Sequence, residues 1–468
     1  MLLYGGRLES GTTSLGEFWT HIGDRGNGKE RIDELAASGF LRKTPRRPPR
    51  FGAGLGLVLG VSLGKDSLRA GLVDANGIVH HLREAPAVRD RFKANTKRTV
   101  LADIGTLASK VLQDGLRNPV LAQVHRIGTA AKPALPLLGA AAAWPAPVHR
   151  VTKRPEGRGL HSDDWYSESL ATALARVLHI DDDRAHALND ANSIALAAAF
   201  DESRRLPRIL HEGQVAMAIR VGGGIGAGTA ILDRFSPTRS AFLETKLIEG
   251  SHGFAGELGH LVISARDIDD LNADLPDGLA PIDQDSSCSC GTADRVHLEA
   301  VASAAALIRR WKASRELSGS EAEGSVGMSH EDARELAGTR LGSMALRDAG
   351  KLIGRCLAAP ILMLNPLTIT LAGAAAVDAL ASGIEDEKPR WRSAFGGPDP
   401  ELRCLDAAES KRAALRGAAL VVIRGDVFRR FDAYPRSFTE DDSRLLHVER
   451  DHVALIADGP RSPTGHRT

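Results

Sequence analysis

Asn189-Asp190-Ala191-Asn192 stands directly ahead of the Ala-rich run Ser193–Phe200. Asn or Asp at such a place satisfies the orphan N–H groups of a helix start. A carboxylate fixed there is equally suited to act as a general base, with Asp190 taking the proton of a hydroxyl. The residues alone leave both readings open. Further on, "VGGGIGAGTAI" (Val221–Ile231) reads as a hairpin with a Gly-rich turn. Gly223, Gly224 and Gly226 lack side chains, so their N–H groups can come close to phosphate oxygens. A second hairpin is written in "GVSLGKDSLRAGLVD" (Gly60–Asp74), where Val61, Leu63, Leu68, Ala70 and Leu72 alternate around the turn Gly64-Lys65-Asp66. Lys65 offers an anion a positive charge there, and Asp66 opposes it. Cys288 and Cys290 are separated by one residue.

These groups need a body to hold them, and 468 residues allow two or three domains. The composition, 43% hydrophobic and 25% charged, is that of an ordinary globular chain. A formal net charge of +1 gives no global attraction to nucleic acid, so any such binding needs a local patch. The longest apolar run, Ala134–Ala143, is too short for a bilayer and holds Pro136 and Gly139. The start lacks the basic-then-apolar order of a signal peptide, and four Cys make no disulfide framework. A cytoplasmic protein without membrane contact is expected.

Composition divides the chain. Residues 1–41 end in "KERIDELAASGFL", where Ile32, Leu35 and Ala36 share a helical face and Gly39 supplies a stop. Residues 42–56 read as a stiff cationic linker: five basic residues, three Pro and no acid lie between Arg42 and Arg50. Arg42, Lys43, Arg46, Arg47 and Arg50 are all candidates to meet nucleic-acid phosphates. From Leu57 strands and Ala-rich helices alternate, as in an α/β body running to about residue 431. Residues 432–468 turn polar and read as a frayed tail.

Four stretches in order, "GVSLGKDSLRAGLVD", "NDANSIALAAAF", "VGGGIGAGTAILD" and "GFAGELGHLVIS" followed by "CSCGTADRVHLEAVAS", resemble the ROK family (repressors, open reading frames and kinases). The resemblance implies two ribonuclease-H-like α/β lobes of the actin-like ATPase superfamily, with the site in the cleft near residues 189–190. Members are sugar kinases or sugar-responsive regulators, and the regulators carry an N-terminal winged helix-turn-helix. Residues 1–41 resemble a degenerate form of that segment. It implies a transcriptional regulator that binds operator DNA as a homo-oligomer under control of a sugar or sugar phosphate. The alternative is an ATP-dependent hexose kinase, with Mg²⁺ and with Asp190 as base.

By the same resemblance Asn189, Asp190, Glu257, His260 and Glu299 match sugar contacts. His260, Cys288 and Cys290 match ligands of a structural zinc site, and His297 stands where the family has its last Cys, completing a Cys2His2 set. On the nucleotide side, Ser62 stands in the place of an Asp, Gly64 opens a turn whose next residues are Lys65-Asp66 instead of Gly-Thr, and Gly223 replaces a Thr. The strand and turn "NPLTITLAGAAA" keep one glycine, Gly373, of a pair, with Ala372 in place of the other. Before the Asn-Asp motif the family's Pro-Gly is missing from "QVHRIGTAAKPALPLLGAAAAW". That loss falls on the sugar side; the others fall on the nucleotide side, and with Asn189, Asp190, Glu257, His260 and Glu299 all kept, this asymmetry is expected of a protein that senses a sugar without phosphorylating it.

Overall fold

A computed structural model describes residues 41–44, 47–51, 56–64, 67–86, 97–127, 130–156, 163–205, 213–233, 244–288, 290–291, 295–317, 329–391, 398–432 and 446–458. Residues 1–40, where the winged-helix segment is expected, lie outside them. The stretch that reads as a linker contains a two-stranded antiparallel hairpin, β1 (Leu41–Thr44) and β2 (Arg47–Phe51), with Arg42 opposite Arg50 and Thr44 opposite Arg47.

The body has two lobes built to one plan. In the first, β3 (Leu57–Leu63), β4 (Ser67–Asp74) and β5 (Val79–Pro86) form an antiparallel meander. On the other side of β3, β7 (Ala130–Trp144) runs parallel to it and β8 (Ala185–Asn189) runs parallel to β7, while β6 (Gln123–Ile127) pairs with the start of β7. In the second lobe β9 (Val215–Val221), β10 (Ile225–Asp233) and β11 (Glu244–Leu247) repeat the meander. Then β12 (Thr368–Ala372) and β13 (Glu401–Cys404) lie parallel beyond β9. The spatial order β5-β4-β3-β7-β8 is thus matched by β11-β10-β9-β12-β13.

All seven residues of β3 are buried, because helices cover both faces of its sheet. One side packs on α1 (Lys97–Leu116) and α2 (Leu170–Leu178) through Leu57, Leu59, Val61, Ile104, Val111 and Leu174. The other side meets α3 (Asp190–Arg205) and a long late helix, Ala407–Asp432. The same central layer joins the second sheet through Ala216, Ala218 and Ala230. The far face of the second sheet is covered by α4 (Leu298–Ala302), α5 (Arg340–Leu364) and α6 (Asp378–Asp386), with Met217, Ile219, Leu352, Ile353 and Leu380 in the core. The late helix, α7, crosses α3 where Gly417 lies against the Ser193 carbonyl, at a spacing no Cβ could occupy.

Two stretches differ from the sequence expectation. The Ala run, to which the sequence assigns no element, forms the end of β7, and Ala140–Ala143 are small because the strand is buried between layers. Part of the expected frayed tail returns to the first lobe as β14 (Leu446–Val448), antiparallel to β7, and α8 (Arg450–Asp458). Val448, Val453 and Ile456 are buried there, an apolar set that holds the segment against α1 despite its polar composition.

Candidate functional site

The cleft is organised by the start of α3. Asn189 is its cap: Oδ1 accepts from the N–H groups of Ala191 (2.9 Å) and Asn192 (3.1 Å). Its Nδ2 donates to the Ala146 carbonyl at 3.1 Å, tying down the loop that follows β7. The capping reading of this motif therefore holds. Asp190 follows in the first turn, buried, with its carboxylate at the cleft. Beneath it Gly226 and Gly228 of β10 let α3 sit directly on the sheet, since a Cβ on Gly228 would strike the Ala191 carbonyl. Gly226 packs closely as well, since an added Cβ would lie 3.3 Å from the Ala191 Cβ.

A residue the motif reading passed over completes this corner. Nη1 of Arg220 lies 3.1 Å from Asp190 Oδ2. The signal is present in β9, where Ala216, Ala218 and Arg220 share a face and the cation sits two residues ahead of the glycine turn.

Opposite Asp190, the Gly-Glu-Leu-Gly-His segment is stitched to β10 by the Ala227 N–H donating to the Gly256 carbonyl at 2.7 Å. Gly256 adopts φ 95°, a left-handed conformation that glycine takes without strain. It presents Glu257, whose carboxyl is pushed up to about 7 by burial and by the negative charges of Asp190 and Glu299. Three carboxylates thus share one space. His260 links them to a second cluster: Nε2 lies 3.6 Å from Glu257 Oε2, and Nδ1 lies 3.4 Å from Cys288 Sγ. Cys288 Sγ also donates to Glu299 Oε1 at 3.1 Å.

The ligand atoms of His260, Cys288, Cys290 and His297 all lie within 4.8 Å of one another. A tetrahedral zinc with bonds of ~2.3 Å to sulfur and ~2.0 Å to nitrogen would set S···N separations of roughly 3.5 Å. The observed Cys288–His260 and Cys290–His297 separations are 3.4 and 3.3 Å. The donor set fits the ion. His260, with Glu257 on its other nitrogen, has the carboxylate–imidazole arrangement that orients a metal ligand.

The nucleotide side is plainer. Ser62 is buried in β3 and brings no charge. The Gly64 N–H closes its own turn on the Ser67 carbonyl at 2.8 Å, and the Gly222 N–H turns back to the Gly224 carbonyl at 2.9 Å. Gly223 and Gly224 lie half-buried in that turn; Lys65 and Asp66 are outside the described residues. Gly373 ends β12 with φ 106°, pressed against the Val221 carbonyl. With a neutral hydroxyl at position 62 and a guanidinium on Asp190, this corner does not suit Mg²⁺, which takes carboxylate and water oxygens.

Two lobes of repeated topology, with Asp190, Glu257 and Glu299 close enough to influence one another's charge, define a sugar-kinase-like body of the actin type. The chain belongs to the ROK family, whose model matches residues 164–424. In fold it is similar to a ROK family glucokinase from Streptomyces griseus solved with glucose and AMPPNP, at 21% identity over 80% of this chain and 100% of that one, TM-score 0.52. It is similar too to a ROK family transcriptional regulator, a homologue of the E. coli MLC protein, at 18% identity over 90% and 98%, TM-score 0.52. A glucokinase from Balamuthia mandrillaris in complex with glucose matches at 15% identity over 85% and 99%, TM-score 0.51. Curated protein sequences give no match. Among the described residues no helix is long and apolar enough to cross a membrane.

Proposed function

We propose that this chain is a sugar-responsive transcriptional regulator, in which a sugar or sugar phosphate bound in the cleft governs binding of operator DNA by a homo-oligomer. The observation that carries the reading is the asymmetry of the cleft. Asp190, Glu257 and Glu299 converge on one face and are braced by the His260–Cys288–Cys290–His297 cluster, to which we assign a structural zinc. Across from them Ser62 is uncharged and Asp190 faces Arg220 instead of an open space. Phosphoryl transfer depends on positioning and on cations around the phosphoryl group, so a site altered in these parts binds without transferring.

The DNA-facing part of the proposal rests on the β1–β2 hairpin, whose register sets Arg42 against Arg50. The stretch Arg42–Arg50 carries five basic residues and no acid, and a phosphate backbone is the partner that would neutralise them. Ligand control requires the two conformations to differ in affinity for the sugar.

The full-length protein, put through selection from a random DNA pool with and without hexoses and hexose phosphates, should enrich a discrete site whose occupancy changes with one of them. Enrichment of nothing, together with hexose-dependent ADP release, would make the protein a hexose kinase with Asp190 as base.

A further inference from the structure

Arg220 ends the face of β9 that carries Ala216 and Ala218, so the strand aims it out of the core at the start of α3. Its side chain is only 25% exposed. One terminal nitrogen, Nη1, faces Asp190 Oδ2 at 3.1 Å. The other, Nη2, lies close to the first lobe: a Cβ placed on Gly64 would be 3.6 Å from it. The guanidinium also lies over Gly222, where an added Cβ would meet Nη1, Cζ and Nη2 at 3.3–3.4 Å. Both glycines therefore leave room for this cation, which reaches from the second lobe's β9 to Asp190 at the start of α3 and to Gly64 after β3.

We propose that Arg220 is a phosphate receptor of the cleft and that the cleft's ligand is a phosphorylated sugar rather than the free sugar; this rests on the sugar-sensing reading above. The hydroxyl placed on Asp190 is the one a phosphoryl group would be joined to. In a ligand already phosphorylated on that oxygen, the phosphate lies beyond Asp190 Oδ2, on the side where Nη2 points. Asp190, Glu257 and Glu299 would repel a dianion entering unaided, and Arg220 stands between them and the turns. Its planar fork can hold the carboxylate with one nitrogen and phosphate oxygens with the other, which a lysine or a mobile ion could not do in fixed geometry.

The test is calorimetric titration of the full chain, zinc retained, with glucose, N-acetylglucosamine, mannose and fructose, each beside its 6-phosphate. At least one 6-phosphate should bind about 10- to 100-fold more tightly than its parent, the range expected for a hydrogen bond to a charged group. Arg220→Ala should erase the difference and Arg220→Lys should keep part of it. Thermal unfolding without ligand checks that each variant is folded, and Arg220→Gln replaces the Ala variant if that one is not. Equal binding of parent and phosphate, or a preference that survives loss of the arginine, overturns this proposal and leaves sugar sensing intact. If none of the eight compounds binds, both readings fall together.

Discussion

Sγ of Cys290 lies 3.3 Å from Nδ1 of His297, so an imidazole closes the four-membered cluster that a thiolate would otherwise close. Imidazole and thiolate are both good zinc ligands, and the swap keeps the tetrahedron while making the site less negative. Protein purified without added metal should carry one zinc per chain by elemental analysis. A Cys288→Ser/Cys290→Ser double variant should carry almost none. Zinc near zero in the parent protein, or unchanged in the double variant, removes the ion from the account.

The protein should not turn over ATP with common hexoses. Typical enzymes have kcat near 10 s⁻¹, and here a rate below about 10⁻³ s⁻¹ is expected. A coupled ADP-release assay with glucose, N-acetylglucosamine, mannose and fructose measures it, with Asp190→Ala as control. Release at about 1 s⁻¹ that vanishes in the control would establish a working kinase.

Arg46 and Arg47 lie at the middle of the basic stretch Arg42–Arg50. If each neutralises one phosphate, replacing both with Ala should lower the slope of log K against log salt by about 2. Fluorescence anisotropy on the selected DNA at several salt concentrations gives the slope. An unchanged value means these arginines do not touch DNA.

The returning C-terminal segment should contribute to stability. Ile456 is buried against the first lobe, and its neighbours include Gly105 of α1. Ile456→Ala should cost about 2–5 kcal/mol in urea unfolding, the range for emptying a packed aliphatic site. A loss under about 0.5 kcal/mol would mean the segment is not packed in solution.

Two glycines should respond oppositely to alanine. Gly417→Ala forces a methyl into the Ser193 carbonyl and must separate α3 from α7, costing about 1–3 kcal/mol or more. Gly338, with nothing within 4 Å of a new Cβ, should gain up to about 1 kcal/mol from the better helix former. Equal effects in thermal unfolding would contradict the close crossing.

Much of this was legible in the sequence because local pattern and tertiary role agree. The two hairpins were written in alternation and glycine turns, and the cap at Asn189 follows from residue type. The Cys-x-Cys pair and His260 were marked by residue type and spacing, and the structure brings their ligand atoms together. β7 was obscured because alanine favours helix in isolation, and only burial between two layers makes a run of small residues a strand. The C-terminal strand and helix were hidden among charges, their three buried apolar residues too sparse to dominate composition. Arg220 was invisible to motif reading because its meaning depends on Asp190, thirty residues away in sequence and on another element.

The doubled strand order has a consequence for charge. The first strand of each lobe runs up to a glycine, and two places before it stand Ser62 ahead of Gly64 and Arg220 ahead of Gly222. These are matching positions of a pseudo-twofold pair of lobes, one neutral and the other cationic. The cleft therefore has an electrical polarity that its backbone does not, and an anionic ligand settling between near-identical frameworks would be drawn to the second lobe's wall.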